Sequence, residues 1–401
     1  MRLTIAAMLL TVCASVGRAA DVDPPVDPTA VVKGDAAFAL DLYAKLRTED
    51  GNLFFAPHSI SAALAMTRGG ARGDTAAEMD RGLHFTLPQE RLHAAFAALG
   101  RQINGDPADK KRGYQLSTAN ALWGQKGYGF SPDFLQLVRD NYGGGFRELD
   151  FAGATEEARQ TVNAWVEQQT NDKIKELLQK GDLTGNTKLV LTNAIYFKGD
   201  WASRFKKDRT LDAPFHVAAD KSVNVPLMNQ EGSFRFFYGD NMEALELPYA
   251  GDELSMVLLL PHKIDGLADL EKALTPQNLD GWLGKLRKVD EVEVSIPRFK
   301  MTSRFELKDT LRDMGMPTAF SEASDFSGFT GGPNGLHIAH VIHKAYVDVN
   351  EEGAEAAAAT AVVSDDSAPP QFRADHPFLF LIRNRRSGAI LFLGRMTDPT
   401  K

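Results

Sequence analysis

Apolar residues recur along this chain with two periods, and the prevailing period changes near its middle. Phe38, Leu42 and Leu46 fall along one face of a helix predicted over residues 35–48. The run Asn52-Leu-Phe-Phe-Ala-Pro-His-Ser59 starts as an apolar strand and is stopped by Pro57, after which 60–68 reads as a buried helix. A second long helix is predicted over 156–179, with Val162, Trp165, Val166, Ile174, Leu177 and Leu178 on its inner side. Residues 188–197 and 254–260 are apolar runs of strand length, and Val292, Val294 and Ile296 alternate with polar neighbours as a strand does. The chain closes on a predicted hairpin: strand 377–382, a polar turn over 383–388, and strand 389–393. Helices prevail in the first half and strands in the second, so the fold class is α+β rather than alternating βαβ.

With 401 residues, 43% of them hydrophobic, the chain can bury a large core. No Pro/Gly/Ser-rich linker, internal repeat or low-complexity tract divides it, so a single domain over 34–401 is expected. It is preceded at 21–33 by a Pro-containing, acidic lead-in that reads as flexible. The formal net charge of −8 leaves no basic stripe to neutralise phosphates, which argues against a nucleic-acid partner. Lys110-Lys111-Arg112 is a short basic run of the kind found on solvated faces. Arg2, the short apolar stretch 3–16 and the small residues around Gly17-Arg18-Ala19-Ala20 read as a secretory signal over 1–20. That stretch is too short to span a bilayer comfortably and no other is longer, so a secreted protein without a membrane span is expected, extracellular or periplasmic. Cys13, the one cysteine, lies inside the signal. Val12 before it is bulky where a lipoprotein signal takes a small residue, which argues against lipid attachment. The exported chain then holds no thiol and no disulfide, and its stability rests on packing.

Catalytic patterns are missing. The chain has no G-x-S-x-G elbow, H-E-x-x-H helix, phosphate-binding loop or C-x-x-C pair. His337, His340 and His343 are the nearest approach to a metal cluster, but their apolar neighbours favour a strand, on which His340 faces away from the other two. No metal and no cofactor are expected. Arg72-Gly73-Asp74 spells a cell-adhesion tripeptide, yet Gly73 is better explained as a helix stop with a special backbone angle. Residues 328–335 are Gly-rich without phosphate-loop spacing and read as a turn.

One segment does not suit an ordinary domain. Glu351-Glu352-Gly353-Ala354-Glu355-Ala356-Ala357-Ala358-Ala359-Thr360-Ala361-Val362-Val363 follows a strand-like run over 343–349. Alanine favours helix, but the segment has no helical apolar stripe and runs into Ser364-Asp-Asp-Ser-Ala-Pro-Pro370, which is loop chemistry. As a strand it would present Ala354, Ala356, Ala358, Thr360 and Val362 on one face. Small side chains on one face let a segment slide between two existing strands without overpacking their core. The segment can be a loop at one time and a strand at another.

Glu351–Ala357 resembles the hinge of inhibitory serpins, and other segments resemble that family in order along the chain. Asn52–Ile60 with Gly70-Ala71-Arg72-Gly73-Asp74-Thr75 is similar to the serpin N-terminal signature. Thr192-Asn-Ala-Ile-Tyr-Phe-Lys-Gly-Asp-Trp201 is similar to its central strand. Phe372-Arg-Ala-Asp-His-Pro-Phe378 and Gly394-Arg395 are similar to its C-terminal signature. The likeness runs from about Gly34 to Pro399.

The resemblance implies a large central sheet A, two smaller sheets, surrounding helices and an exposed reactive-centre loop at about 351–371. It implies a suicide-substrate inhibitor of serine, or cysteine, endopeptidases rather than an enzyme. A target protease would cleave the loop and be held as an acyl-enzyme while the freed strand inserts into sheet A. A monomer is expected, with the target endopeptidase as partner. Carried over by position, Ser59, Asn193 and His343 match the shutter, the polar cluster beneath the opening sheet, with Ala56 where many serpins have serine. Trp201, Arg298 and Glu351 match the breach at the top of the sheet. The hinge is Glu351–Thr360. Counting forward from Glu351 places the cleaved bond at Ser367, and counting back from Pro377 places it at Asp366. Asp366–Ser367 is the first choice, with Asp365, Val363 and Ala368 as alternatives, and Val362, Val363 or Ser367 would suit elastase-like or subtilisin-like targets. The competing readings are a non-inhibitory serpin acting as a carrier, chaperone or storage protein, which the Ala-rich hinge disfavours, and a hydrolase, which the missing motifs disfavour.

Overall fold

The computed structural model describes residues 26–105, 113–353 and 369–401. Six helices occupy much of the first 170 residues: α1 (Thr29–Leu46), α2 (Pro57–Arg68), α3 (Gly73–Gly82), α4 (Gln89–Asn104), α5 (Pro132–Tyr142) and α6 (Thr155–Gln169). The first strands are β1 (Leu53–Phe55), β2 (Tyr114–Gln125), β3 (Phe146–Leu149), β4 (Leu189–Gly199), β5 (Leu211–Ala218), β6 (Lys221–Tyr238) and β7 (Met242–Pro248). They are followed by β8 (Leu254–Pro261), β9 (Arg287–Pro297), β10 (Phe299–Glu306), β11 (His340–Val349), β12 (Gln371–Arg373), β13 (Phe378–Asn384) and β14 (Ile390–Met396).

Local chemistry explains several boundaries and corrects four expectations. Helix α1 begins at Thr29, so it takes in the end of the 21–33 segment that composition reads as flexible. The Asp27 carboxylate accepts the Thr29 backbone N–H (2.9 Å) and hydroxyl (2.6 Å), which starts the helix earlier than apolar periodicity indicates. Gly73 does have a left-handed φ of +53°, but it opens α3 rather than ending a helix. The helix expected over 156–179 ends at Gln169, because Asn171 and Asp172 turn left-handed (φ 50° and 59°). Ile174, Leu177 and Leu178 are buried all the same, on an irregular segment. His337 lies outside β11, which begins at His340.

Five strands form one sheet in the order β10-β11-β4-β2-β3. The other nine form a path β1-β14-β13-β8-β7-β6-β9-β12, with β5 on β6. The two smaller sheets expected are the two halves of this path, joined through the long β6, whose register with β9 shifts between Gly232 and Phe234. Alternation along β4 sends its odd positions one way and its even positions the other. Leu189, Leu191, Ile195 and Phe197 join the main core, which runs back through α1, α2 and β12–β14. Val190, Ala194 and Tyr196 join a second cluster with Trp123 of β2, Val162 and Val166 of α6 and the 174–183 segment. The five-stranded sheet is therefore packed on both faces.

Candidate functional site: a seam in the five-stranded sheet

Within this sheet β4 and β11 are neighbours and run parallel, paired in register from His340↔Val190 to Asp348↔Lys198. The outer pairs β10·β11 and β2·β4 are antiparallel. Residues 350–353 leave the end of β11 directly, so the segment with hinge-like composition is attached to one bank of the seam.

Beneath the seam the expected shutter residues meet. His343, at 0% exposure, accepts the Ala56 backbone N–H at Nε2 (3.2 Å). Its Nδ1 therefore carries the proton and donates to Asn193 Oδ1 (2.5 Å). The Asn193 amide donates to Ser59 Oγ (2.7 Å) and to Asn120 Oδ1. Ser59 in turn donates to Asn120 Oδ1 (3.2 Å), and the Asn120 amide returns to the Ser59 carbonyl (3.2 Å). Ala56 supplies no hydroxyl, but its backbone N–H takes part, and Asn120 of β2 adds a side chain that sequence reasoning did not single out. Burial pushes the His343 imidazole down to about 3, so it is neutral at ordinary pH.

At the upper end, the buried Trp201 donates its indole N–H to the Asn350 carbonyl (2.8 Å) and its backbone N–H to the Glu352 carbonyl (3.0 Å). Its ring stacks on Tyr249 at 4.6 Å. Glu351, only 5% exposed, accepts the Thr210 hydroxyl (2.9 Å) and lies 3.4 Å from an Arg298 nitrogen. Glu352 pairs with Lys198 of β4 (2.5 Å), which lowers the carboxyl and raises the amine. Gly353 bridges Trp201 in parallel, and a Cβ there would stand 2.6 Å from the Trp201 carbonyl oxygen. The main chain of Asn350, Glu352 and Gly353 is thus tied to Trp201 just past the end of β4, while the Glu351 side chain reaches Thr210 and Arg298.

The chain matches the family described as "Serpin (serine protease inhibitor)" over residues 33–399. The chain belongs to the serpin family. It is 44% identical to the leukocyte elastase inhibitor of Homo sapiens over 378 residues, covering 90% of this chain and 97% of that protein. It is 40% identical to Serpin B3 of Homo sapiens over 391 residues, covering 92% and 99%. Among solved structures it resembles uncleaved ovalbumin with a TM-score of 0.83 at 33% identity, covering 92% of this chain and all of that one.

In this serpin the remaining expected site positions divide in two. The hinge residues Ala354, Glu355, Ala356, Ala357, Ala358, Ala359 and Thr360 lie outside the described residues, as do Val362, Val363, Asp365, Asp366, Ser367, Ala368 and the 1–20 signal. His340 bonds Glu306 at 2.8 Å, while His343 belongs to the buried cluster on the other side of the strand. Thr210 and Lys198, the partners of the two hinge glutamates, were not foreseen. The Lys198 signal was present in the sequence, since it lies three residues before Trp201 within the central-strand motif. Thr210 sits in a polar stretch that carries no signal.

Proposed function

We propose that this serpin is a suicide-substrate inhibitor of serine, and by extension cysteine, endopeptidases. The observation that carries the reading is the parallel pair β4·β11 with the hinge attached to the end of β11. A chain that folds back from β11 runs antiparallel to it, and therefore antiparallel to β4 as well. Entry of such a strand replaces one parallel ladder by two antiparallel ones, which are the more stable per residue. Ala354, Ala356 and Ala358 require little room in the core beneath.

The chemistry belongs to the target. Its nucleophile attacks the carbonyl carbon of the scissile residue, taken as Asp366, and forms an acyl ester or thioester. The C–N bond to Ser367 breaks, and the new amine leaves with the proton delivered by the protease's general acid. Insertion of the freed strand then carries the acylated protease away from its working geometry before water completes hydrolysis. We further take the inhibitor to act as a monomer, exported by the 1–20 signal.

The test is incubation of the purified protein with a panel of endopeptidases. An SDS-resistant complex, with a released peptide beginning at Ser367 by mass spectrometry, is expected. Clean cleavage of the loop with no complex for any protease would refute inhibition. A mature N-terminus at Met1 after expression in an exporting host would refute the signal.

A further inference from the structure

The seam has a second face, opposite the buried polar cluster. There Tyr196 and Tyr346 are direct register partners, and their rings stack with centroids 5.3 Å apart and planes 25° from parallel. Tyr196 is 3% exposed, and the Lys173 ammonium lies 5.8 Å from its ring centroid. Among the described residues neither phenol oxygen is hydrogen-bonded, so the two side chains meet ring against ring. The other register pairs on this face offer less grip. Thr192 faces Ile342 and Ala194 faces Lys344. Lys198 and Asp348, also opposite each other, turn to other partners: Lys198 to Glu352 and Asp348 to Lys300.

We infer that the Tyr196–Tyr346 stack is a latch across the seam, a positioning interaction that sets how fast the sheet accepts a new strand. The inference rests on the insertion reading above. Neighbouring strands lie about 4.8 Å apart, so a strand entering between β4 and β11 moves them to roughly 9.6 Å. Stacked rings attract only out to about 7 Å between centroids, so the stack exists before entry and is broken on the way in. The incoming segment presents alanines at 356–359 and brings no aromatic ring to replace it. An attraction that must be given up before the barrier is reached slows entry, and an aromatic pair of this kind corresponds to about two- to tenfold in rate. The polar cluster below and the tyrosines above then hold the same pair of strands from its two faces. The latch is aromatic and is indifferent to salt.

The experiment uses the intact, uncleaved protein and a synthetic peptide with the sequence of residues 354–366, its incorporation followed on native gels and by Trp201 fluorescence. Tyr346→Val and Tyr196→Val should each take up the peptide about two- to tenfold faster than wild type. Tyr346→Phe keeps the ring and should match wild type. The double variant should be no faster than either single one, because both remove the same stack. Wild-type rates in the valine variants, a Tyr346→Phe variant as fast as Tyr346→Val, or single effects that multiply in the double variant would overturn the latch while leaving insertion intact. A wild-type protein that takes up no peptide under any warming regime would overturn both the latch and the insertion reading.

Discussion

Acid should weaken this fold through His343, by an amount that its surroundings set. The imidazole is held neutral with a pKa of about 3, against 6.5 in an exposed chain, because burial penalises the charged form. A second proton has to land on Nε2, since Nδ1 already donates to Asn193, and Nε2 would then face the Ala56 N–H it now accepts. The sign follows. The unfolded chain takes up a proton below pH 6.5 and the native chain does not, so stability falls from pH 6.5 down to about 3. Each pH unit in that window is about 1.4 kcal/mol, so pH 5 removes roughly 2 kcal/mol from a fold of the usual ~5–15 kcal/mol. Other groups act in the same range. His93, lowered to about 4 chiefly by burial, adds loss of the same sign. Glu243, raised to about 7 by burial, contributes the opposite way, gaining stability as pH falls from 7 towards 4.5. The informative quantity is therefore a difference. Urea midpoints of wild type and His343→Gln are measured at pH 7, 6 and 5, and the wild type should lose about 2 kcal/mol more than the variant between pH 7 and 5. Parallel curves for the two proteins would show that His343 does not titrate as its burial requires.

Four further outcomes concern the top of the seam and the segment that leaves it. Glu351→Lys removes the acceptor of Thr210 and sets two cations side by side; polymers should form several-fold faster on mild heating, and Arg298→Glu/Glu351→Lys should be slower than the single variant on native gels. Because Arg298 is half exposed, the ion pair itself is worth no more than about 1 kcal/mol, and urea midpoints of Arg298→Ala should move by no more than that. Gly353→Ala places a methyl group 2.6 Å from the Trp201 carbonyl and 2.8 Å from Arg204 Cβ, so the bridge to Trp201 should break, read as a shift in Trp201 emission; an unchanged spectrum counts against it. Ala354→Arg, which would carry an unpaired charge into the sheet, should turn the inhibitor into a substrate, and an unchanged stoichiometry of inhibition would remove Ala354 from the hinge.

What the amino-acid order determined by itself is whatever depends on near neighbours. The apolar run 188–197 has the length of a strand, and β4 occupies nearly the same residues. The alanine run after Glu351 has neither helical stripe nor bulky side chains, which is the composition on which the insertion proposal rests. Six short segments in order along the chain pointed to one family. Periodicity also named the right buried residues beyond Gln169, although the helix itself stops there, since hydrophobicity reports the face that leaves water and Asn171 and Asp172 decide the backbone path. Only the tertiary structure decided partners. His343 and Asn193 are 150 residues apart in the chain, and no local pattern says that a backbone N–H at Ala56 will complete their network in place of a hydroxyl. The same holds for Asn120, for Thr210 under Glu351, and for two tyrosines that become a pair once β4 and β11 share a register. A residue's own character fixes whether it is buried, but which group it meets there depends on how distant segments are set against one another, and that is settled by packing the whole core at once.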